Sequence, residues 1–586
     1  MNYKLIPFPN KIKPLAGVFK IPASLIEVIE NYTLSSSLES DVESVSNSSF
    51  SREEYSVEIR SNGIKIESGG VAGTFYAIQT LKQIFRQSSE GLLQCLIIKD
   101  KPCFKTRSVM LDISRNKVPT MVTLFKLIDL WAELKFNQVQ LYTEHTFAYK
   151  KHKKVWENYS PLTAGEISIL DRYCRERAID LVPNQNSFGH MERWLRFDEY
   201  KDLAESPEGY TDPSGVFFKN SSTLDPSSSK VFDFLKELYD ELLPSFSSSY
   251  FNIGGDETYD LCQGKSKVRC MQEGQGRVYL DFIKKLHREV SSRGLRMQVY
   301  GDIIVKYPQL IPELPKDIIA LDWGYEADHP FEKETASFRN AGIEYYVCAG
   351  TSSWNSIAGR WDNALDNIRS AAYWGEKNKA SGFMVTEWGD NGYWQQYPTA
   401  LPGYFAGASS AWSGYKGTEL DFQELLDIHY FKDESGMKAK ALLQMANIYK
   451  EYSSGVHNGS IFALTMLDSH YPGYRSYFQP LRGLDFSGAL KELKGAENYI
   501  QKANNADKEL LFTAHLLRHG IQLTIELFKT ESLAIKDIPV KKRKEFSEDL
   551  KSIISEFKRL WLVRYRDGGL QDSLNIFYEL DAFYSN

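Results

Sequence analysis

The feature that most constrains the fold is a series of eight short apolar segments, each followed by a longer stretch with helical periodicity. The segments cover residues 108–113, 138–142, 180–183, 250–253, 297–300, 318–322, 345–348 and 383–386. Strands that are buried on both faces have continuous apolar runs of this kind, and eight strand–helix units over about 300 residues predict an α/β fold of the (β/α)8 TIM barrel type. A doubly wound open sheet is the competing fold, but no glycine-rich phosphate-binding turn follows the first segment.

The residues before the barrel predict a small domain of their own. Segments 55–60 and 63–68 alternate between apolar and polar residues as a β-hairpin does, and 73–86 has apolar residues at helical spacing. We therefore expect an N-terminal α/β domain over residues 1–103. The serine-rich run 34–51 is expected to be an exposed loop.

The residues after the barrel predict a helical domain. With the barrel over 104–418, the remaining segment 419–586 is rich in Leu, Lys, Glu and Ala, and helical periodicity is clearest at 488–504, 509–528 and 541–562. This C-terminal domain is expected to pack on the barrel. It would either support the barrel or form the contact of a homodimer.

Composition limits the classes of partner. The 586 residues carry a formal net charge of −6, and without a basic excess we expect no nucleic-acid partner. No stretch of about 18 apolar residues predicts a membrane span, and no signal peptide is recognisable. Localisation stays open between the cytoplasm and export with the signal removed.

The six cysteines indicate neither a zinc site nor a disulfide framework, because they are scattered and lack paired spacing. A bridge between Cys262 and Cys270 is one alternative. Buried free thiols are the expected state.

Charged and aromatic residues occur where the predicted strands end, and active sites of such barrels lie at these positions. The candidates are Arg115 after the first strand, Glu144 after the second, His190 after the third, Asp256 and Glu257 after the fourth, Tyr300 at the end of the fifth, Trp323 after the sixth, Trp354 after the seventh, and Trp388, Asp390 and Tyr393 after the eighth. One tryptophan alone is more often ordinary loop packing. Three on one rim, among carboxylates, predict a pocket that surrounds a sugar ring.

The sharpest local signal is Gly254-Gly255-Asp256-Glu257, directly after the fourth strand. Two glycines allow a tight turn and the close approach of a ligand. Adjacent residues of a regular strand point to opposite faces, so both carboxylates reach one pocket only where the strand has begun to bend. An Asp-Glu pair by itself is otherwise typical of the start of a helix.

Taken together, the motifs resemble glycoside hydrolase family 20, the β-N-acetylhexosaminidases, over most of residues 1–412. The similar segments are Gly254-Gly255-Asp256-Glu257, Leu111-Asp112-Ile113-Ser114-Arg115 with Pro119, residues 183–190 ending in Phe188-Gly189-His190, Trp388-Gly389-Asp390 in place of Trp-Gly-Glu, and residues 73–81 of the N-terminal domain. The resemblance implies a retaining, exo-acting enzyme that needs no metal or cofactor. Its partner would be a glycan or glycoconjugate with a terminal N-acetylamino sugar.

The resemblance also implies a substrate-assisted mechanism, in which the 2-acetamido oxygen of the sugar attacks the anomeric carbon and forms an oxazolinium intermediate. Asp256 would orient the acetamide and stabilise the charge on its nitrogen. Glu257 would protonate the leaving oxygen and then deprotonate the attacking water.

Further roles follow from the same resemblance. Arg115 would bind ring hydroxyls, His190 would hydrogen-bond Glu257 or Glu144, Trp388 would stack on the ring, and Asp390 would accept from O4 or O6. For Arg115 the structural alternative is a salt bridge with a loop carboxylate. A lone histidine is also more often structural.

Two departures from the family pattern bear on substrate recognition. Glu144-His145 stands where the family has paired aspartates, and Trp354-Asn355-Ser356-Ile357 stands where it has Trp-Tyr-x-Asp. The residue that bonds the acetamide must then come from elsewhere, with Tyr300 and Tyr393 as the candidates. The altered hydroxyl recognition gives a slight preference for N-acetylgalactosamine over N-acetylglucosamine.

Three other interpretations compete with this one. A catalytically inactive, sugar-binding barrel would normally have lost Asp256 or Glu257, and both are present. A metal-dependent barrel hydrolase would require His145, His190 and Asp256 to converge. A double-displacement glycosidase would form a covalent glycosyl-enzyme on a protein nucleophile.

Overall fold

The computed structural model describes residues 3–38 and 42–585. Its first part contains β1 (Lys11–Lys20), α1 (Ala23–Glu30), β2 (Val42–Ser46), β3 (Tyr55–Arg60), β4 (Gly63–Ser68), α2 (Val71–Arg86) and β5 (Leu92–Asp100). The strands form one sheet in the order β1-β5-β3-β4-β2. The predicted hairpin is confirmed as β3–β4, and the predicted helix as α2.

The expectation of a loop over 34–51 is wrong at β2, which lies inside that range and pairs in parallel with β4. β2 is the edge strand of the sheet, and most of its side chains are exposed. Because an edge strand buries little, its sequence keeps the polar composition of a loop and lacks apolar alternation. Residues 39–41 of the predicted loop lie outside the described residues.

The first part packs against the barrel around the buried carboxylate of Asp100. Tyr55 OH donates to Asp100 Oδ2 at 2.6 Å, and Lys135 Nζ donates to the same oxygen at 3.1 Å. Trp412 Nε1 donates to Asp100 Oδ1 at 2.9 Å. Lys135 precedes a barrel strand, so this network lies at the amino end of the barrel and leaves the carboxyl end for the site.

The second part is built on eight parallel strands. They are β6 (Thr106–Asp112), β7 (Gln138–Tyr142), β8 (Asp180–Val182), β11 (Tyr250–Asn252), β12 (Arg296–Tyr300), β13 (Ile319–Trp323), β14 (Glu344–Gly350) and β15 (Gly382–Glu387), while β9 (Tyr210–Thr211) and β10 (Phe217–Phe218) form a small hairpin in the loop after β8. The sheet order is β11-β12-β13-β14-β15-β6-β7-β8. A parallel bridge between Asn184 and Asn252 joins its two ends, and the amide N–H of Asn252 donates to the carbonyl of Pro183 at 3.0 Å. The (β/α)8 barrel and its eight predicted strands are confirmed.

Helices surround the barrel and fill its connections. They are α3 (Met121–Glu133), α4 (Lys153–Trp156), α5 (Ala164–Arg175), α6 (Glu192–Leu195), α7 (Ser229–Leu242), α8 (Lys267–Glu273), α9 (Gln275–Ser292), α10 (Phe331–Ala341), α11 (Trp361–Asn378) and α12 (Leu401–Ser413). The longer helices, such as α3, α9 and α11, have buried apolar faces that cover the outside of the strands, which explains the apolar runs in the sequence.

The last part is helical, as predicted. It comprises α13 (Phe422–Leu426), α14 (Lys438–Met445), α15 (Ile461–Leu467), α16 (Ser487–Lys502), α17 (Lys508–Phe528), α18 (Val540–Arg564) and α19 (Leu570–Ser585). It packs on loops at the carboxyl end of the barrel, where the ring of Trp394 stacks on Phe577 with centroids 4.1 Å apart. Within the described ranges, no helix has both the length and the hydropathy that crossing a membrane requires.

The expectation of free thiols is wrong for two cysteines. Cys262 lies in the loop that follows β11, and Cys270 lies in α8. The two form a disulfide. Cys95, Cys174 and Cys348 are free and buried as expected, whereas Cys103 is exposed. A loop that folds back on itself brings two cysteines together over a separation of 8 residues, and no sequence periodicity marks such a loop.

Candidate active site at the carboxyl end of the barrel

The adjacent acids Asp256 and Glu257 reach one pocket because the chain bends sharply after β11. The φ angles of Gly254, Gly255 and Glu257 are +70°, +91° and +47°, all in the left-handed region. A Cβ on Gly254 would lie 1.9 Å from Asn186 Oδ1, so only glycine fits against the neighbouring strand end. The predicted bend is confirmed, and the strained φ of a non-glycine residue at Glu257 is typical of a functional site.

Asp256 and Glu257 differ in their access to solvent. The side chain of Asp256 is 5% exposed, whereas that of Glu257 is 32% exposed. The buried carboxylate can hold a group deep in the pocket, and the exposed carboxylate can exchange protons with a leaving group or with water. The two environments therefore suit two different roles.

His190 lies between the two acids on one side and Arg115 on the other. Its Nε2 is 3.2 Å from Asp256 Oδ2 and 3.5 Å from Glu257 Oε2, and its Nδ1 faces Arg115 Nη2 at 3.3 Å. A guanidinium can only donate, so Nε2 carries a proton toward the carboxylates in either charge state of the ring. Burial lowers the pKa of His190, but the neighbouring carboxylates, chiefly Asp256, more than offset this and raise it to about 9.

Arg115 is held by a second set of groups on the other side of His190. Its Nη2 is 3.2 Å from Glu144 Oε1, and its Nη1 is 3.5 Å from Asp112 Oδ2. The guanidinium also lies over the rings of Tyr142 and Trp388, at 4.7 and 5.2 Å from their centroids. Burial raises the pKa of Glu144, although Arg115 opposes this. The predicted salt bridge and a hydroxyl-binding position are both compatible with this geometry, because the guanidinium has five donors.

Four aromatic side chains pack together where β13, β14 and β15 end, and of these Trp354 is almost fully buried. Tyr325 lies at their centre: its ring stacks on Trp323 at 5.1 Å, meets Trp354 edge-on at 5.1 Å, and its hydroxyl accepts a hydrogen bond of 2.8 Å from Trp388 Nε1. The three tryptophans were predicted from the sequence, whereas Tyr325 was not. The available signal was its place two residues after Trp323, at the end of β13.

Several buried polar atoms at this end of the barrel have no hydrogen-bond partner within the described part of the chain. They include Asp256 Oδ1, Tyr300 OH, Trp323 Nε1 and Asp302 Oδ1, together with His190 Nε2, which meets Asp256 at ion-pair distance. Tyr300 and Asp256 are close enough for the carboxylate to raise the pKa of the phenol, after burial as the larger cause. Buried polar groups are nearly always paired in folded proteins, so an unpaired group at the end of a barrel strand indicates a ligand position.

Asp302 also contacts the loop that carries Glu257 and was not among the predicted site residues. Its Oδ2 accepts the backbone N–H of Glu257 at 3.3 Å. Burial, with Asp256 and Glu257 nearby, raises the pKa of Asp302 to about 7. It follows Gly301 directly after β12, so its position at a strand end was the signal that could have identified it.

The outer edge of the pocket joins loops of the barrel to the C-terminal region. Asp390 Oδ2 accepts from Asn355 Nδ2 at 2.9 Å, and Asn391 donates to the hydroxyl of Tyr474. Burial raises the pKa of Asp390 to about 7, with Arg115 acting in the opposite direction. Trp354 Nε1 donates to Asn458 Oδ1 at 2.6 Å. Helical-domain residues thus contact the pocket wall.

Tyr393, a predicted site residue, and His145, named only as a ligand in the metal-dependent alternative, lie away from Asp256. Tyr393 packs on the ammonium group of Lys117, 4.5 Å from the ring centroid, and beside Tyr565 of the C-terminal region. His145 packs edge-on against Tyr159 at 4.4 Å. His145, His190 and Asp256 do not form a metal-binding group within the residues described.

Comparison with known proteins gives two matching family models. The model "Glycosyl hydrolase family 20, catalytic domain" matches residues 104–413, and "Glycosyl hydrolase family 20, domain 2" matches residues 26–101. The first of these matches covers more than half of the chain.

Similar curated proteins and solved structures carry related names. A beta-hexosaminidase of Porphyromonas gingivalis is 26% identical over 283 residues, which is 43% of this chain and 36% of that protein. The structure of a beta-N-acetylhexosaminidase from Bacteroides fragilis is similar with a TM-score of 0.57 and 20% identity, covering 70% of this chain and 90% of that one. An exo beta-N-acetylglucosaminidase from Vibrio harveyi, in complex with N-acetylglucosamine, has a TM-score of 0.59 and 18% identity, covering 75% and 78%. The alignment thus spans about a third of the length of the Porphyromonas gingivalis protein. The similarity to the two solved structures supports the barrel fold of this chain.

Proposed function

The chain belongs to glycoside hydrolase family 20, and we propose that it is a retaining, exo-acting β-N-acetylhexosaminidase. The observation that carries this proposal is the arrangement of Asp256 and Glu257 around His190. A buried carboxylate with an unpaired oxygen lies beside an accessible carboxylate at the end of one barrel strand. That pair suits a reaction in which the substrate supplies its own nucleophile.

In the proposed mechanism the acetamide oxygen of the bound sugar attacks the anomeric carbon, and Glu257 gives its proton to the departing glycosidic oxygen. Asp256 accepts a hydrogen bond from the acetamide N–H, which fixes the attacking oxygen and stabilises the positive charge of the oxazolinium. Glu257 then removes a proton from the water that opens the ring, so configuration is retained. The Nε2–H of His190 supports Asp256 as an anion throughout.

The acetamide group is proposed to lie against Tyr325 and Tyr300. Tyr325 accepts from Trp388, which leaves its own hydroxyl hydrogen for the acetamide oxygen. Tyr300 offers an unpaired hydroxyl close to Asp256. Tyr393 is the weaker of the two predicted candidates, because its ring packs on Lys117.

Hydroxyl recognition is proposed to involve Arg115 and Asp390, with Trp388 against the sugar ring. Asn355 replaces the family tyrosine after β14, and its amide bonds Asp390 and so changes the acceptor set near O4 and O6. This arrangement is the basis for a slight preference for N-acetylgalactosamine, which differs from N-acetylglucosamine in the orientation of the C4 hydroxyl.

The test is hydrolysis of paired aryl β-glycosides of N-acetylgalactosamine and N-acetylglucosamine. We expect cleavage of at least one, inhibition by a thiazoline analogue of the cyclised intermediate, and loss of activity in Glu257→Gln. Glu548→Gln, at an exposed position of α18, is the matched control and should keep full activity. A failure of the wild type to cleave either glycoside, with sugar binding retained, would favour the inactive sugar-binding barrel instead.

A further inference from the structure

A second cluster of ligating side chains lies outside the sugar pocket, between β13 and α10. Leu321 belongs to the apolar cluster inside the barrel and Trp323 packs against it, so the intervening Asp322 points outward. Glu334 on α10 and His329 in the loop before it approach Asp322 from the other side. One potential ligand atom from each of the three lies within 4.8 Å of the others.

The carboxylate of Asp322 has an unmet electrostatic requirement. Asp322 is 1% exposed, and its Oδ2 has no hydrogen-bond partner in the described ranges. Another carboxylate, that of Glu334, lies beside it and is contacted by His329 Nε2 at 3.0 Å. Burying an unpaired carboxylate is costly, and a like charge beside it increases the cost. A cation between these groups would remove both penalties.

We propose that Asp322, His329 and Glu334 bind a divalent transition-metal ion, for which zinc is the best match. One imidazole and two carboxylates are ligands that zinc accepts at about 2.0–2.2 Å, usually in a tetrahedron completed by water. The side chains of His329 and Glu334 are each 19% exposed, which gives the ion and its water a path from solvent. Asp322 supplies the buried ligand.

The backbone of the loop is shaped for this arrangement. A Cβ on Gly324 would lie 2.1 Å from the ring of His329, so the imidazole folds back over the chain only because residue 324 is glycine. The same loop carries Trp323 and Tyr325, which form part of the sugar pocket. The metal would therefore fix the loop that holds the pocket wall, without taking part in bond cleavage. The site does not depend on the proposed hydrolase activity.

The experiment uses the full chain, dialysed against a chelator and then titrated with zinc chloride by isothermal titration calorimetry. We expect one zinc ion per chain and a rise in Tm when zinc is added. The double variant H329Q/E334Q removes two of three ligands and should weaken the affinity by about 100-fold or more. Gly324→Ala keeps every ligand but displaces the imidazole, so it should weaken binding as well.

His287→Gln is the matched control, because it removes a partly buried histidine that also pairs with a carboxylate, Asp317 at 2.8 Å before the start of β13, and that is not one of the three proposed ligands. Zinc binding should be unchanged in this variant. It should also be unchanged in Glu257→Gln, and a loss of binding there would show that zinc binds to the carboxylates of the sugar pocket instead. Circular dichroism of the metal-free variants verifies folding, and H329Q alone replaces the double variant if the latter is unfolded. Absence of zinc binding in the wild type, or equal binding in the ligand variants, overturns the proposal. A proton shared by Asp322 and Glu334 would then be what relieves the repulsion between the two carboxylates.

Discussion

Replacing His190 by glutamine tests the electrostatic link between the histidine and the two acids. Glutamine keeps a hydrogen-bond donor of similar reach but never carries a charge. In the wild type, Asp256 and Glu257 favour the imidazolium, and Arg115 and burial disfavour it, with the net result that the pKa of His190 rises to about 9. The variant therefore loses the charge and preserves most of the packing.

The magnitude follows from the difference between the folded pKa and the ordinary value of 6.5. At about 1.4 kcal/mol per pKa unit, this difference corresponds to about 3 kcal/mol of the free energy of unfolding. Because the folded pKa is the higher one, the contribution is complete below pH 6.5 and disappears as the pH rises through about 9. The charge of His190 also lowers the pKa values of Glu144 and Asp390, so the comparison of the two proteins reports the coupling of the whole cluster.

The measurement is urea unfolding of wild type and His190→Gln at pH 6 and pH 9.5, followed by tryptophan fluorescence and circular dichroism together. The difference in unfolding free energy between the two proteins should shrink by about 3 kcal/mol over this interval. In the Asp256→Asn background the pH dependence of the difference should nearly vanish, because the main partner of the imidazolium is neutral. A difference that stays constant with pH in the wild-type background would show that Asp256 does not hold His190 in its charged form.

Four further outcomes are expected. Glu257→Gln should lower kcat by about 100- to 10,000-fold, with the smallest loss on substrates whose leaving group needs no protonation; an equal loss on all leaving groups would contradict its role as the acid. Asp256→Asn should lower kcat far more than it raises KM, because its interaction strengthens as charge develops, and an unchanged kcat would argue against it. Tyr325→Phe should lower kcat/KM by about 10-fold, measured on an aryl N-acetylhexosaminide, through loss of one hydrogen bond to the acetamide. Burial lowers the pKa of Lys117 to about 7, so the wild type should gain stability as the pH rises from 7 to 10.5, and Lys117→Met should lack that gain in thermal unfolding.

The barrel could be predicted from the sequence because its strands are buried on both faces. Segments such as β14 and β15 therefore have apolar runs that differ from the amphipathic helices around them. The bend after β11 was predictable for a related reason, since adjacent acids reach one side of a strand only if its regular geometry stops. The edge strand β2 escaped prediction because its exposed face gives it no apolar pattern.

The contacts that complete the pocket were not predictable, since they join distant parts of the chain. Asn458 and Tyr474 lie in a region whose helical periodicity indicates only how it packs, yet they bond Trp354 and Asn391 at the pocket edge. Periodicity reports which face of a helix is buried and carries no information about short connecting segments that extend over a neighbouring domain. The C-terminal region is therefore more than a support for the barrel: by fixing the loops after β14 and β15, it positions Asn355 and Asp390, the pair on which recognition of the sugar hydroxyls is proposed to depend.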